Sequence, residues 1–183
     1  MVTELDDQWL NEPSRWTVGP GTLSLTTSPR TDFWRTTGYG FVRDTGHFLG
    51  RRIAGDFEAE VEVRAGYKDQ YDQAGLMVRL DAEHWLKTGI ELVDGRHEMS
   101  AVVTHGVSDW SITALPAPPQ VLALRLLRRG DALRITFAVD GGPPQMHRLA
   151  FFPALPVLVG PMAASPDGAG FDVEFAGLRV DPI

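Results

Sequence analysis

Two consecutive segments of this 183-residue chain carry the side chains best suited to chemistry. They are Gln73-Ala74-Gly75-Leu76-Met77-Val78-Arg79-Leu80 and Trp85-Leu86-Lys87-Thr88-Gly89-Ile90-Glu91-Leu92. Both alternate with a period of two, which on a β-strand sends successive side chains to opposite faces. Ala74, Leu76, Val78 and Leu80 share one face of the first strand, and Gln73, Gly75, Met77 and Arg79 the other. In the second, Leu86, Thr88, Ile90 and Leu92 lie opposite Trp85, Lys87, Gly89 and Glu91. The short connection at Ala82-Glu83-His84 predicts a hairpin, so the two mixed sets fall on one face. Convergent polar groups beside an aromatic ring suit a sugar or another small polar molecule. Glycines in mid-strand mark places where something approaches the backbone closely. The same residues also fit a partly covered outer face on which Lys87 and Glu91 form a simple ion pair.

Further aromatic residues could extend that face. In Thr31-Asp32-Phe33-Trp34-Arg35, a regular strand cannot turn both Phe33 and Trp34 to one core, and Ser108-Asp109-Trp110-Ser111-Ile112 poses the same question. An exposed indole at Trp34 or Trp110 is a platform for a sugar ring or an arginine, and a buried one is simply core. Asp69-Gln70-Tyr71-Asp72-Gln73 forms a polar loop leading into the face. Tyr71 could contact a ligand there, and the loop oxygens could hold a hard cation. The candidate ligand-binding residues are therefore Trp34, Tyr71, Gln73, Arg79, Trp85, Lys87, Glu91 and Trp110. No metal site is expected.

Other chemistry is weak. Glu58, Glu60 and Glu62 would stand about 6.6 Å apart in succession on one strand face, since the rise is about 3.3 Å per residue. Glycoside hydrolysis uses paired carboxylates at such separations. With no aromatic or donor set beside them, and Arg64 following, these acids read as a solvated face. The histidines (His47, His84, His97, His105 and His147) show no i, i+4 helical spacing with a glutamate, so the zinc-protease pattern is absent. There is no nucleophile elbow, phosphate-binding loop or dinucleotide fingerprint, and no cofactor is expected.

The elements that must position these residues are strands. Phe57-Glu58-Ala59-Glu60-Val61-Glu62-Val63-Arg64-Ala65 alternates cleanly, as do Leu122-Ala123-Leu124-Arg125-Leu126 and Phe171-Asp172-Val173-Glu174-Phe175. Tight-turn sequences such as Asp94-Gly95, Gly130-Asp131 and Asp140-Gly141-Gly142 separate such runs. Strands are predicted over residues 14–18, 22–27, 33–36, 47–52, 56–66, 73–81, 84–93, 96–104, 109–114, 120–128, 132–139, 145–152, 157–163 and 170–180. The one helical candidate is a short turn over residues 5–10. The pattern predicts an all-β fold, with two antiparallel sheets packed as a jelly-roll-like sandwich in a single domain over residues 1–183. Residues 116–120, with Pro116, Pro118 and Pro119, form a stiff loop that could cover a cleft.

Composition narrows the function classes. Acidic residues outnumber basic ones 24 to 17, which disfavours nucleic acid and acidic membrane surfaces as partners. There is no cysteine, hence no disulfide or thiolate metal site. No apolar stretch approaches the roughly 18 residues of a membrane span. Residues 1–7 lack the basic and apolar regions of a signal peptide, so cytoplasmic residence is expected. Lys68 and Lys87 are the only lysines among 17 bases, a bias expected of a high-GC bacterial genome.

Several segments together resemble a known family. They are Trp9-Leu10-Asn11-Glu12-Pro13 with Trp16, Thr31-Asp32-Phe33-Trp34-Arg35, Tyr71 through Arg79, Trp85 through Glu91, Ser108-Asp109-Trp110-Ser111 and Val159-Gly160-Pro161-Met162. The chain is similar over nearly its whole length to the domain-of-unknown-function family thirteen-forty-nine, of bacteria and fungi. That resemblance implies the concanavalin A-like lectin and glucanase superfamily, a jelly-roll sandwich with a concave sheet, and the face of Arg79, Trp85, Lys87 and Glu91 as its cleft. It implies no catalytic residues, because the family has no agreed activity. The E-x-D-x-x-E strand of the related glucanases is missing, and Glu58, Glu60 and Glu62 do not match its spacing.

Three functions fit these residues. The first is a non-catalytic binding domain for a carbohydrate or similar polar molecule. The second is a sugar-active hydrolase or isomerase, with Glu91 as one carboxyl and Asp109 or Asp72 as its partner. The third is a protein-interaction module or homodimer, regulating a cytosolic enzyme through exposed aromatics.

Overall fold

A computed structural model describes residues 7–183. Among them the chain forms sixteen strands and no helix. In chain order they are β1 (Asp7–Leu10), β2 (Arg15–Gly19), β3 (Thr22–Thr26), β4 (Phe33–Arg35), β5 (Val42–Asp44), β6 (His47–Ile53), β7 (Phe57–Ala65) and β8 (Gln73–Arg79). They continue as β9 (His84–Val93), β10 (Arg96–His105), β11 (Val107–Ala114), β12 (Leu122–Arg129), β13 (Ala132–Val139), β14 (Gln145–Phe151), β15 (Val157–Ala164) and β16 (Asp172–Pro182).

The strands build two seven-stranded antiparallel sheets, β1-β6-β15-β8-β9-β10-β11 and β14-β13-β12-β7-β16-β3-β2, and a separate β4–β5 hairpin. Residues 7–10 form an edge strand on β6, with Asp7 opposite Arg51 and Leu10 opposite Phe48, instead of the expected helical turn. Residues 5 and 6 of that turn lie outside the described residues. Strand β5 went unpredicted because Val42-Arg43-Asp44 is too short to show a period.

The alternation read from the sequence places the core. Phe57, Ala59, Val61 and Val63 of β7 are at most 3 % exposed, while Glu58, Glu60 and Glu62 face outward and pair with Arg125, Arg179 and Arg64. Leu122, Leu124 and Leu126 of β12 and Val173 and Phe175 of β16 meet Leu76, Val78, Leu86, Ile90, Met99 and Ala101 of the opposite sheet in one continuous core. A register shift between Ala176 and Arg179, where Gly177 takes a φ of 62°, lets Leu178 rejoin that core after Phe175. Only a residue without a side chain enters that conformation freely.

The outer face of the first sheet is not solvated. Phe33 and Trp34 of β4 lie on it with Phe48, Met77, Trp85, Val102 and Met162, forming a second apolar cluster. Every residue of β8 is consequently buried. Phe33 and Trp34 can both be buried because β4 belongs to neither large sheet: Phe33 meets Trp85 and Trp34 meets Trp110.

A pocket between the first sheet and its covering hairpin

Register determines which side chains meet on the outer face. Gln73 stands opposite Glu91, Gly75 opposite Gly89, Met77 opposite Lys87 and Arg79 opposite Trp85. On the far side of β9, Glu98 faces Glu91, Ser100 faces Gly89 and Val102 faces Lys87. Trp110 of β11 lies opposite Val102. Polar residues therefore gather at the Gln73–Glu91 end and apolar ones at the middle of the face.

The β4–β5 hairpin covers this face and is held to it by named bonds. Arg79 donates from Nη1 and Nη2 to the two carboxylate oxygens of Asp44, at 2.8 and 2.7 Å. Such a two-pronged pair fixes orientation as well as distance. Lys87 Nζ donates to the carbonyl of Phe33 at 2.7 Å and stands 3.5 Å from Asp32 Oδ1. Arg35 donates through its backbone N–H to Ser108 Oγ and through Nε to the carbonyl of Gly106. It is this segment, rather than residues 116–120, that covers the face; Pro119 and Gln120 line a shallow groove beside β2 and β3.

Cover and sheet leave a pocket of about 210 Å³, with Asp32, Gln73, Lys87 and Glu91 as its polar groups and Trp34, Tyr39, Phe41, Tyr71 and Trp110 as its aromatic walls. Arg43, Pro166 and Asp167 complete it. The indoles of Trp34 and Trp110 meet at 89° with centroids 6.4 Å apart, Trp34 meets Tyr39 at 65°, and Tyr71 meets Trp110 at 76°. Four rings thus form the corners of a box.

Glu91 is only 6% exposed. Burial raises its pKa, opposed by the nearby charge of Lys87 and by hydrogen bonds from Ser100 and Trp110, while Asp32 pushes it further up. Ser100 Oγ and Trp110 Nε1 both donate to Oε2, at 2.8 and 3.0 Å. Lys87 is paired with Asp32, and no Lys87–Glu91 ion pair forms. Tyr39 is bonded through its hydroxyl to Tyr71, which raises its pKa. Tyr71 holds a φ of 66°, an uncommon conformation that the surroundings must enforce. They do so through the Tyr71 N–H, which donates to the Leu92 carbonyl, and through buried Asp72, which accepts from the backbone of Lys68 and Asp69 and from Ser165.

Of the residues singled out from the sequence, Trp34, Tyr71, Gln73, Lys87, Glu91 and Trp110 line this pocket, whereas Arg79 and Trp85 do not. Arg79 is committed to Asp44. Trp85 is 1 % exposed under the hairpin, 6.2 Å from Phe33. Asp72 and Asp109 do not converge with Glu91: Asp72 is locked in its loop, and exposed Asp109 pairs with Arg148. The carboxylate that does join Glu91 is Asp32. Asp32, Tyr39, Phe41 and Arg43 were not anticipated because they lie in a segment without periodicity; the aromatic pair in Tyr39-Gly40-Phe41 is the one local signal. Gly75 and Gly89 serve the sheet: a Cβ on either would come within about 2 Å of a carbonyl oxygen of the partner strand. Among the described residues no group of three or more His, Asp or Glu is arranged to hold a metal ion. No helix among them is long and apolar enough to cross a membrane.

Comparison with known proteins agrees with this architecture. The family model described as "Protein of unknown function (DUF1349)" matches residues 9–183. "Regulation of enolase protein 1" of Saccharomyces cerevisiae is 44% identical over 176 residues, covering 95% of this chain and 89% of that protein. The crystal structure of a functionally unknown protein from Saccharomyces cerevisiae superposes with a TM-score of 0.93 at 42% identity, covering 97% of each chain. A legume lectin-like domain from Entamoeba histolytica superposes with a TM-score of 0.64 at 11% identity, over 97% of this chain and 90% of that one. The last match shows a shared lectin-like sandwich fold and nothing of ligand, since fold alone does not carry function.

Proposed function

The chain belongs to the DUF1349 family of unknown function, and from that premise we propose that it is a non-catalytic binding domain for a small polar ligand of the carbohydrate kind. One observation carries this reading: polar groups buried in the sheet open into a pocket walled by aromatic rings. A volume of about 210 Å³ lies below the roughly 300–1,000 Å³ of sites for drug-sized ligands, and so fits a ligand the size of a single sugar ring. Sugars offer apolar ring faces to aromatics and hydroxyls to buried polar groups, which is the mixture found here. A hydrolytic role has less support. Asp32, the second carboxylate at the pocket, is tied to the Phe33 backbone and to Lys87, and a general acid or base needs a free path to the scissile bond.

Calorimetric titration with D-glucose, D-xylose and D-galactose tests the reading. Tyr39 is 53% exposed, so Tyr39→Ala leaves the core intact while removing one wall. Its affinity for whichever sugar binds is expected to fall by roughly 2- to 13-fold, the loss of one ring contact of about 0.5–1.5 kcal/mol. Unchanged affinity in that variant would place the ligand elsewhere.

A second reading draws on a different surface. The yeast relative is named for regulation of enolase, and this chain exposes Val107, Met146, Leu149 and Phe151 on its edge strands β11 and β14. Exposed apolar clusters of this kind mark protein contact sites. On this reading the domain regulates an enzyme by contact, with ligand in the pocket as a separate input.

A further inference from the structure

We infer that the ligand of this pocket carries a protonated amine, seated in the aromatic box against the carboxylates of Glu91 and Asp32. This rests on the binding reading above and names the chemical class that reading leaves open.

The hydrogen-bond inventory of the pocket runs short of donors. Glu91 is only 6% exposed, yet both of its protein bonds end on Oε2. Its Oε1 receives no protein donor. Asp32 is 7% exposed, and both the Phe33 N–H and Lys87 reach its Oδ1, leaving Oδ2 without one. Both residues line the pocket, and neither oxygen is sealed off from it, so each can accept from an N–H or O–H group that enters the space. Lys87 donates to the Phe33 carbonyl and Asp32 and not to Glu91.

Charge and ring geometry point the same way. Asp32, Glu91 and Asp167 line the pocket against Lys87 and Arg43. Arg43 is drawn to the mouth, where its guanidinium stacks 4.4 Å from the centre of the Phe41 ring. Glu91 feels the charge of Lys87 but is in ion-pair contact with no cation, since Lys87 is paired with Asp32. The rings of Trp34, Tyr39, Tyr71 and Trp110 meet edge to face, at 65° to 89°. Rings set edge to face around a space attract cations through their negative faces, which is how aromatic cages recognise ammonium groups. A neutral sugar would use the hydroxyl-sized donors but leave the charge unmatched; a protonated amine matches both.

The site also predicts a proton coupling. Glu98 stands across β10 from Glu91, and Lys87, Asp32, Arg43 and Asp167 are the other charged groups around it. With its pKa raised by burial, Glu91 holds a proton into a higher pH range than an ordinary glutamate. A cation arriving beside it favours the ionised form and expels that proton.

The test compares D-glucosamine, N-acetyl-D-glucosamine and D-glucose by calorimetry, in buffers of different ionisation enthalpy. Glucosamine is expected to bind roughly 10- to 100-fold more tightly than the other two, with proton release on binding. Glu91→Gln keeps the shape and removes the charge. That advantage over glucose is expected to shrink to within about threefold, and proton release is lost. Glucose binding as well as glucosamine, or the acetylated amine binding as well as the free one, would overturn the amine assignment and leave the pocket standing. Failure of all three compounds, and of tetramethylammonium, to bind would overturn both. If Glu91→Gln fails to fold, lowering the pH with the unmodified chain replaces it: amine affinity then falls as Glu91 takes up its proton, and a flat profile refutes the inference.

Discussion

A single buried ring shows how much one residue's surroundings decide. His47 is 3% exposed; its Nε2 accepts from the Ser28 N–H and its Nδ1 lies against the Asn11 carbonyl. The Ser28 contact needs the neutral ring, and burial lowers its pKa, opposed by the Asn11 carbonyl, to which Nδ1–H donates in either form. The unfolded chain therefore binds more protons than the folded one below histidine's ordinary pKa of about 6.5. Stability is full above that value and is lost as pH falls through it, at up to about 1.4 kcal/mol per pH unit. Melting curves between about pH 7.5 and 5.5 should slope less for His47→Gln than for the unmodified chain; parallel slopes would mean that His47 titrates alike in both states. At this same scale, reading the sequence succeeded where a side chain's direction follows from strand parity. Glu91, Lys87 and Gln73 point into the pocket for that reason. It failed for Trp85 and Arg79, whose parity was equally right, because a segment distant along the chain lies on top of them.

Between elements, what matters is how closely backbones approach and what ties the covering hairpin down. Strands announce themselves by alternation, which is why β7, β12 and β16 were legible from Phe57, Leu122 and Val173 onward. Strand β4 was legible over residues 33–36 and β5 was too short to be, but the place of both on the sheet is set by the Arg79–Asp44 and Lys87–Phe33 contacts. Two substitutions separate these roles. In Gly89→Ala the new Cβ would meet the Ala74 carbonyl oxygen at 2.0 Å, forcing β8 and β9 apart at about 1–3 kcal/mol or more. Asp44→Ala leaves the strands alone but strands the Arg79 guanidinium, whose side chain is 8% exposed, at about 1–3 kcal/mol. Denaturant unfolding should report a loss for both. Hydrogen exchange distinguishes them: faster exchange confined to residues 33–46 is expected for Asp44→Ala, and across β8 and β9 for Gly89→Ala.

Across the whole molecule the two outer faces are unlike. The second sheet shows water a ladder of paired charges, Glu58 with Arg125 and Glu60 with Arg179, and the middle of the first is covered by the β4–β5 hairpin. Apolar side chains reach solvent instead along the edges, where β11 and β14 lie side by side, linked by Arg148 and Ser111. If the domain regulates an enzyme by contact, Phe151, 61% exposed, belongs at the centre of that contact. Phe151→Ser should then change stability by no more than about 0.5 kcal/mol and weaken binding to purified enolase by roughly 30-fold or more, as for an interface anchor. Equal binding by both proteins would remove that strip from consideration. The hairpin over the first sheet has a consequence for descent. Asp32, Trp34, Tyr39, Phe41 and Arg43, much of the pocket's wall, sit within one short run of chain that belongs to neither sheet. Substitution at its exposed positions, such as Tyr39, can therefore reshape the pocket wall without touching the strands of either large sheet, so the shape of this opening can change one loop residue at a time on a constant sandwich.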